Sequence, residues 1–184
     1  MRDYAALLAN ANVQAFLALI RYTEGAGYHT LFGGEQVASL DDHPRRAITR
    51  TLGGKPITST AAGAYQFLSR TWDECARALS LPDFSPRNQD IAALFLTDRR
   101  GALDHVISGQ WKSAILGCNK EWASLPGSPY GQPTKTMDKC LAYIETQIRR
   151  APAVAEPQPP FSNQNNLFDK VKTWLLSLPQ RFRR

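Results

Sequence analysis

The chain has 184 residues, a length typical of one domain with room for a short appendage. Hydrophobic residues make up 43% and charged residues 21%, which excludes a wholly disordered or fibrous protein. No run of 18 apolar residues is present, so the sequence predicts no membrane span. The net charge is +6, and residues 161–184 hold five basic residues and one acid. Such a chain favours an anionic partner: nucleic acid, anionic lipid or an acidic cell wall.

The first predicted element is an amphipathic helix. Val13, Phe16, Leu17 and Ile20 follow the i, i+3, i+4, i+7 pattern that places apolar side chains on one helical face. The helix is expected to end at Glu24, because the glycine that follows is a common helix stop.

Residues 25–63 are rich in glycine and polar residues and contain the β-prone piece 57–60. They predict loops and a small sheet, closed by residues 65–68. A helical period returns over residues 69–81.

The next helix is expected to begin at Ser85–Pro86, with serine as N-cap and proline in the first turn, and to stop near Gly101. Shorter helices are predicted at about 102–108 and 110–122, and another at about 134–149. The predicted fold class is α+β, mainly α, with a small β region inserted after the first helix.

Residues 151–166 contain four of the 12 prolines and predict a semi-rigid extended linker. Beyond it, apolar residues recur at helical spacing and predict a cationic amphipathic helix over 167–184. This helix is too short to cross a bilayer but can lie in its interface, although packing against the body is an alternative. Its expected membrane-binding residues are Lys170, Lys172, Trp174, Arg181, Arg183 and Arg184.

The three cysteines are an odd number without a close pair, which favours a chain that folds reduced. Residues 5–20 are interrupted by polar side chains and make a poor signal-peptide core. We therefore expect synthesis in a cytoplasm.

Glu24 is the strongest candidate for chemistry. A carboxylate at a helix C-terminus faces the negative end of the helix dipole, and apolar neighbours add a cost of desolvation. Both effects raise its pKa, which suits a general acid near neutral pH. The alternative is a solvated glutamate at a fraying helix end. Tyr22, Tyr28, Phe32 and Tyr65 could offer ring faces to sugars or pack in the core.

If Glu24 is the general acid of a glycoside hydrolase, a second carboxylate is needed as base or nucleophile. Glu35, Asp41 and Asp42 follow Glu24 by 11, 17 and 18 residues and are candidates for that role. A metal cluster at Asp41–His43 is disfavoured, since no further histidine lies at ligand spacing. A solvated turn is the simpler interpretation, and no cofactor is expected.

Short strings in one order through residues 15–145 resemble the lambda-type phage endolysins, the lambda lysozyme family. The strings are residues 15–17, Glu24-Gly25, Gly27-Tyr28, 33–35, 42–45, 59–66, 68–70, 83–86, Gln89-Asp90, 100–103, 122–127 and 130–132.

The resemblance implies a lysozyme-like α+β fold with residues 1–150 as the catalytic domain. It implies cleavage of the β-1,4 bond between N-acetylmuramic acid and N-acetylglucosamine of peptidoglycan, with a 1,6-anhydro-muramic product and no consumption of water. The catalytic acid of the family maps onto Glu24. The implied substrate-binding residues are Tyr28, Glu35, Tyr65, Gln66, Tyr130 and Gln132.

The resemblance also bears on partners and location. It implies a monomer that acts on bacterial peptidoglycan, made in the cytoplasm of an infected host and released to the wall by a holin. A nucleic-acid partner is not expected, since no helix of the body carries a basic stripe. The loop after Gly25 is shorter than in the family, and residues beyond 150 resemble instead the cationic tails of some endolysins. That tail is expected to bind anionic membrane or lipopolysaccharide. The alternatives are a hydrolytic muramidase and a membrane-active antibacterial protein.

Overall fold

The computed structural model describes residues 2–150. Seven helices and one two-stranded sheet lie within that part of the chain. In chain order they are α1 (Tyr4–Leu7), α2 (Ala11–Glu24), β1 (Ile48–Leu52), β2 (Lys55–Ser59), α3 (Ser69–Leu79), α4 (Pro86–Arg99), α5 (Leu103–Ile107), α6 (Trp111–Cys118) and α7 (Met137–Arg150). The expected α+β, mainly α fold is confirmed. The predicted linker and cationic helix lie outside the described residues.

The central helix α2 has well-defined ends. The Asn10 side chain accepts hydrogen bonds from the amides of Asn12 and Val13, which satisfies free donors of the first turn. Gly25 ends the helix in the left-handed conformation, with φ of 63°. The predicted helix and its stop at Gly25 are therefore confirmed. The apolar face is buried, and α2 packs against α5 and α7.

The small β region is an antiparallel hairpin of β1 and β2, with Ile48 opposite Ser59. Gly53 and Gly54 form its turn with φ of 56° and 79°, values that glycine adopts without strain. Two isolated β-bridges join Ala62 to other segments of the same chain, one at Leu31 and one at Phe67. The β region therefore ends where residues 65–68 were expected to close it.

The later helices match the prediction with shifted ends. Helix α4 begins at Pro86 as expected, but the Ser85 side chain makes no capping hydrogen bond. Instead, the Asp83 carboxylate accepts the Ser85 amide hydrogen at 2.9 Å. Helix α6 ends at Cys118 and α7 begins at Met137, so the loop between them is longer than predicted. That loop supplies part of the site described below.

The core joins two groups of side chains. Along α2, Phe16, Leu17 and Ile20 are fully buried. Under the β region, Trp72 and Phe84 meet edge to face with ring centroids 4.6 Å apart. Cys75, Cys118 and Cys140 are buried and free of disulfides, and burial raises the pKa of Cys75 to about 12. Among the described residues, no helix is both long and apolar enough to span a membrane.

Candidate active site

Glu24, the last residue of α2, opens into a cleft of about 460 Å³. One side of the cleft comes from the hairpin and its flanks, and the other from the loop between α6 and α7. The lining residues are Glu24, Phe32, Gly33, Arg50, Ser59, Ala61, Tyr65, Gln66, Leu68, Glu121, Trp122, Ala123 and Gln132. The cleft therefore brings together segments separated by about a hundred positions of sequence.

Burial raises the pKa of the Glu24 carboxyl above its usual value. The Ser124 hydroxyl opposes this effect by donating a hydrogen bond of 2.6 Å to Glu24 Oε1, which favours the ionised form. Among the described residues, no arginine, lysine or histidine forms an ion pair with Glu24. A half-buried carboxyl without a cationic partner holds its proton to higher pH, as a general acid requires.

A largely buried polar cluster surrounds Arg21, which lies one turn before Glu24 on α2. The Asp90 carboxylate accepts hydrogen bonds from the hydroxyls of Tyr65, at 2.5 Å, and Tyr28, at 2.9 Å. Arg21 donates to the Tyr65 hydroxyl at 2.7 Å. Burial raises the pKa of Tyr28 to about 12 and raises the pKa of Tyr65 well above its usual value, so both hydroxyls keep their protons at neutral pH. The cluster joins α2 to α4 and to the cleft wall.

Tyr65 and Gln66, both expected to bind substrate, occupy different positions in that wall. The Tyr65 side chain is 1% exposed, and its hydroxyl is held inside the polar cluster. Gln66 has a positive φ of 48°, a strained conformation for a residue with a side chain. Its amide nitrogen donates to the carbonyls of Thr30 and Gly63. Both residues line the cleft, but the Tyr65 hydroxyl is occupied by the polar cluster and the Gln66 amide nitrogen by two backbone carbonyls.

The other residues expected to bind substrate are divided between several places. Gln132 lines the same cleft as Glu24. Tyr130 is 57% exposed and lines an adjoining cavity. The Tyr28 hydroxyl belongs to the polar cluster, and Glu35 pairs with Arg50 at 2.6 Å outside the cleft lining. Their roles in binding substrate stay predictions.

The acidic turn after Glu35 does not reach the cleft. Asp42 pairs with Arg45, and Asp41 is exposed. Both ring nitrogens of His43 are engaged, one with the Phe67 carbonyl and one with the Arg45 amide. The described residues contain no cluster of histidine, cysteine or acidic side chains arranged for a metal ion.

Sequence reasoning did not identify two polar residues of the site: Ser124, which contacts Glu24, and Glu121, which lines the cleft. The contact between Ser124 and Glu24 spans 100 positions of sequence. Glu121 is a second carboxylate in the lining, held by Arg100 at 2.8 Å and Arg99 at 3.3 Å. No local sequence pattern predicts either contact, because both depend on the tertiary position of the loop between α6 and α7.

Comparisons with known proteins agree with this architecture. A family model described as Endolysin matches residues 7–148. The endolysin of Escherichia phage lambda is 41% identical over 143 residues, which cover 72% of this chain and 89% of that protein. The endolysin of Escherichia phage P2 is 35% identical over 151 residues, covering 73% of this chain and 92% of its own. A structure of bacteriophage lambda lysozyme complexed with a chitohexasaccharide superposes with a TM-score of 0.71 at 38% identity, covering 75% of this chain and 94% of that one.

Fold and site together define a lysozyme-like enzyme, in which a helix ends in a half-buried carboxyl facing a cleft beside a small hairpin. Within that class, the chain belongs to the endolysin family.

Proposed function

We propose that this endolysin degrades bacterial peptidoglycan as a lytic transglycosylase, cleaving the β-1,4 bond between N-acetylmuramic acid and N-acetylglucosamine to lyse the host. Membership of the endolysin family supports the substrate. So does the chitohexasaccharide named with the lambda lysozyme structure.

In the proposed mechanism Glu24 serves twice. Its carboxyl first donates a proton to the glycosidic oxygen, and the bond from that oxygen to C1 of the muramic residue breaks. The C6 hydroxyl of the same residue then attacks C1 and gives its proton to the Glu24 carboxylate. A C1–O6 bond replaces the C1–O4 bond, the enzyme recovers its proton, and water takes no part. The acetamido group of the substrate can stabilise the cationic intermediate.

The observation that carries the proposal is that Glu24 is the one carboxyl of the described cleft lining free of a cationic partner. Glu121 shares the lining, but its two carboxylate oxygens are engaged by the guanidinium groups of Arg99 and Arg100. Glu35, Asp41 and Asp42 are outside the lining. An ordinary glycosidase needs two working carboxylates, whereas a transglycosylase needs one. The competing proposal is hydrolysis, with a second carboxylate acting on water.

Glu24→Gln is expected to lower the rate of peptidoglycan lysis at least about 10²–10⁴-fold, the usual contribution of one general acid. The amide keeps the size of the side chain and can still accept the Ser124 hydrogen bond, so the fold should persist. Glu145→Gln is the matched control, because Glu145 lies exposed on α7 outside the cleft lining. Lysis of chloroform-treated cells at near the wild-type rate by folded Glu24→Gln protein would contradict the role.

We propose a second, separate role for residues 167–184: binding anionic membrane or lipopolysaccharide as a cationic amphipathic helix. The support is in the sequence, where five basic residues accompany an apolar stripe at helical spacing. We also infer that the protein reaches the wall through a holin and works as a monomer.

A further inference from the structure

A second cavity of about 360 Å³ adjoins the catalytic cleft. The two share five lining residues, namely Tyr65, Gln66, Leu68, Glu121 and Trp122. The second cavity adds five residues that do not line the cleft around Glu24, namely Phe67, Thr71, Leu96, Lys120 and Tyr130. It is therefore a side branch of the same depression rather than a separate pocket.

The outer wall of this branch is held in place by the backbone of Lys120. Its carbonyl oxygen accepts the Tyr130 hydroxyl hydrogen at 2.9 Å and a hydrogen bond from Arg100 at 3.3 Å. Trp122 fixes the inner wall by donating its indole hydrogen to the Tyr65 carbonyl at 3.2 Å. The branch is thus formed in advance of any ligand.

Cations outnumber anions around the branch. Glu121 forms ion pairs with Arg99 and Arg100, and Arg99 also pairs with Glu74, so both carboxylates already have cationic partners. Lys120 is exposed, and its ammonium group has no hydrogen-bond or ion-pair partner among the described residues. A positive group without a partner at a cavity mouth attracts an anionic ligand.

The same branch offers two apolar surfaces. Leu68 is 50% exposed and Tyr130 is 57% exposed, so both side chains can contact a ligand in the branch. A short, anionic and partly apolar group fits these surfaces, and because the two cavities adjoin, a molecule in the main cleft can carry it.

We propose that this side branch binds the peptide stem of peptidoglycan, with Lys120 facing one of its carboxylates. The inference rests on the proposed function, since the stem is carried by the muramic acid residue whose bond Glu24 would cleave. The stem branches sideways from the glycan, its carboxylates outnumber its amines, and its alanine methyl groups match the faces of Leu68 and Tyr130.

The test compares two substrates: glycan strands that carry their peptide stems, and the same strands stripped of peptides by an amidase. The measured quantity is kcat/KM on the strands that carry peptide stems divided by kcat/KM on the stripped strands, both at low salt. Lys120→Ala is expected to lower this ratio about two- to five-fold, the range for one exposed charge interaction, and Lys120→Glu is expected to lower it further. Lys112→Ala, an exposed lysine on α6 outside both cavities, is expected to leave the ratio unchanged.

A wild-type ratio retained by both Lys120 variants would overturn the inference, and so would an equal fall in Lys112→Ala. Continued cleavage of stripped strands in those experiments would leave the proposed transglycosylase function standing. Failure of wild-type protein to cleave either substrate would instead contradict the function itself.

Discussion

The chemistry of Glu24 depends on two opposing effects at one side chain. Burial at the end of α2 raises the pKa of its carboxyl, and the Ser124 hydrogen bond lowers it. Because the folded pKa is raised, the folded state binds this proton more tightly than the unfolded chain does. Stability is therefore lost as pH rises from the ordinary glutamate pKa through the raised value. This loss of stability accompanies the raised pKa that the proposed role of Glu24 as general acid requires.

Ser124→Ala should move the alkaline limb of the kcat/KM profile to higher pH. The variant removes the hydroxyl that favours the ionised form of Glu24, so the carboxyl keeps its proton further into the alkaline range. Ser113→Ala, at an exposed position on α6, serves as control and should leave the profile in place. A shift toward lower pH, or none, would argue against Glu24 as the acid.

At the scale of elements, Gln89 of α4 joins that helix to the segments that form the cleft wall through three hydrogen bonds. This fully buried amide accepts the Ala64 amide hydrogen at 2.9 Å and donates to the carbonyls of Phe84, at 2.8 Å, and Tyr28, at 3.1 Å. Gly63 must be glycine here, since a Cβ on it would lie 2.3 Å from Gln89 Oε1. One side chain thus fastens the cleft wall to the helix.

Gln89→Leu is expected to lower the free energy of unfolding by about 3–5 kcal/mol. The leucine leaves two buried backbone groups and one half-buried carbonyl without these partners, and each buried group costs about 1–3 kcal/mol. Urea denaturation measures the change. Gln14→Leu, which removes one exposed hydrogen bond to Leu8, is the control and should cost less than about 1 kcal/mol. Equal losses in the two variants would contradict the fastening role.

Elements and site differ in how far the sequence predicts them. Helix α2 and its stop at Gly25 follow from local signals: apolar spacing and a glycine. Position also suggested the raised pKa of Glu24. The contacts of Ser124 and Glu121 could not be predicted from the sequence, since they arise from the tertiary folding of a loop. Tyr65 shows the same limit, because its residue type suits either a sugar platform or a buried hydroxyl.

At the scale of the whole molecule, charge is divided unevenly along the chain. Residues 1–150 carry 17 basic and 14 acidic residues, whereas residues 161–184 carry five basic residues and one acid. The first part contains the cleft at Glu24, which is the proposed active site, and the second part is the proposed membrane-binding segment. The two proposed activities are therefore expected to be separable by truncation.

A chain ending at Ala151 should digest purified peptidoglycan normally but lose binding to anionic vesicles and activity on intact cells. Each basic residue near an anionic surface contributes about 1 kcal/mol, and high salt should reproduce the loss by screening. Vesicle sedimentation measures the binding. A full-length variant with its five C-terminal basic residues changed to glutamine is the matched comparison and should behave like the truncation. Undiminished vesicle binding by both proteins would make the tail a passive extension.

The central claim, that Glu24 works without water, is tested most directly by digesting peptidoglycan in ¹⁸O-labelled water and weighing the muropeptides. Intramolecular attack by the C6 hydroxyl predicts anhydro-muramic ends that contain no ¹⁸O, one water lighter than hydrolysed ends. Incorporation of ¹⁸O at C1 of the muramic residue would contradict the claim and establish hydrolysis.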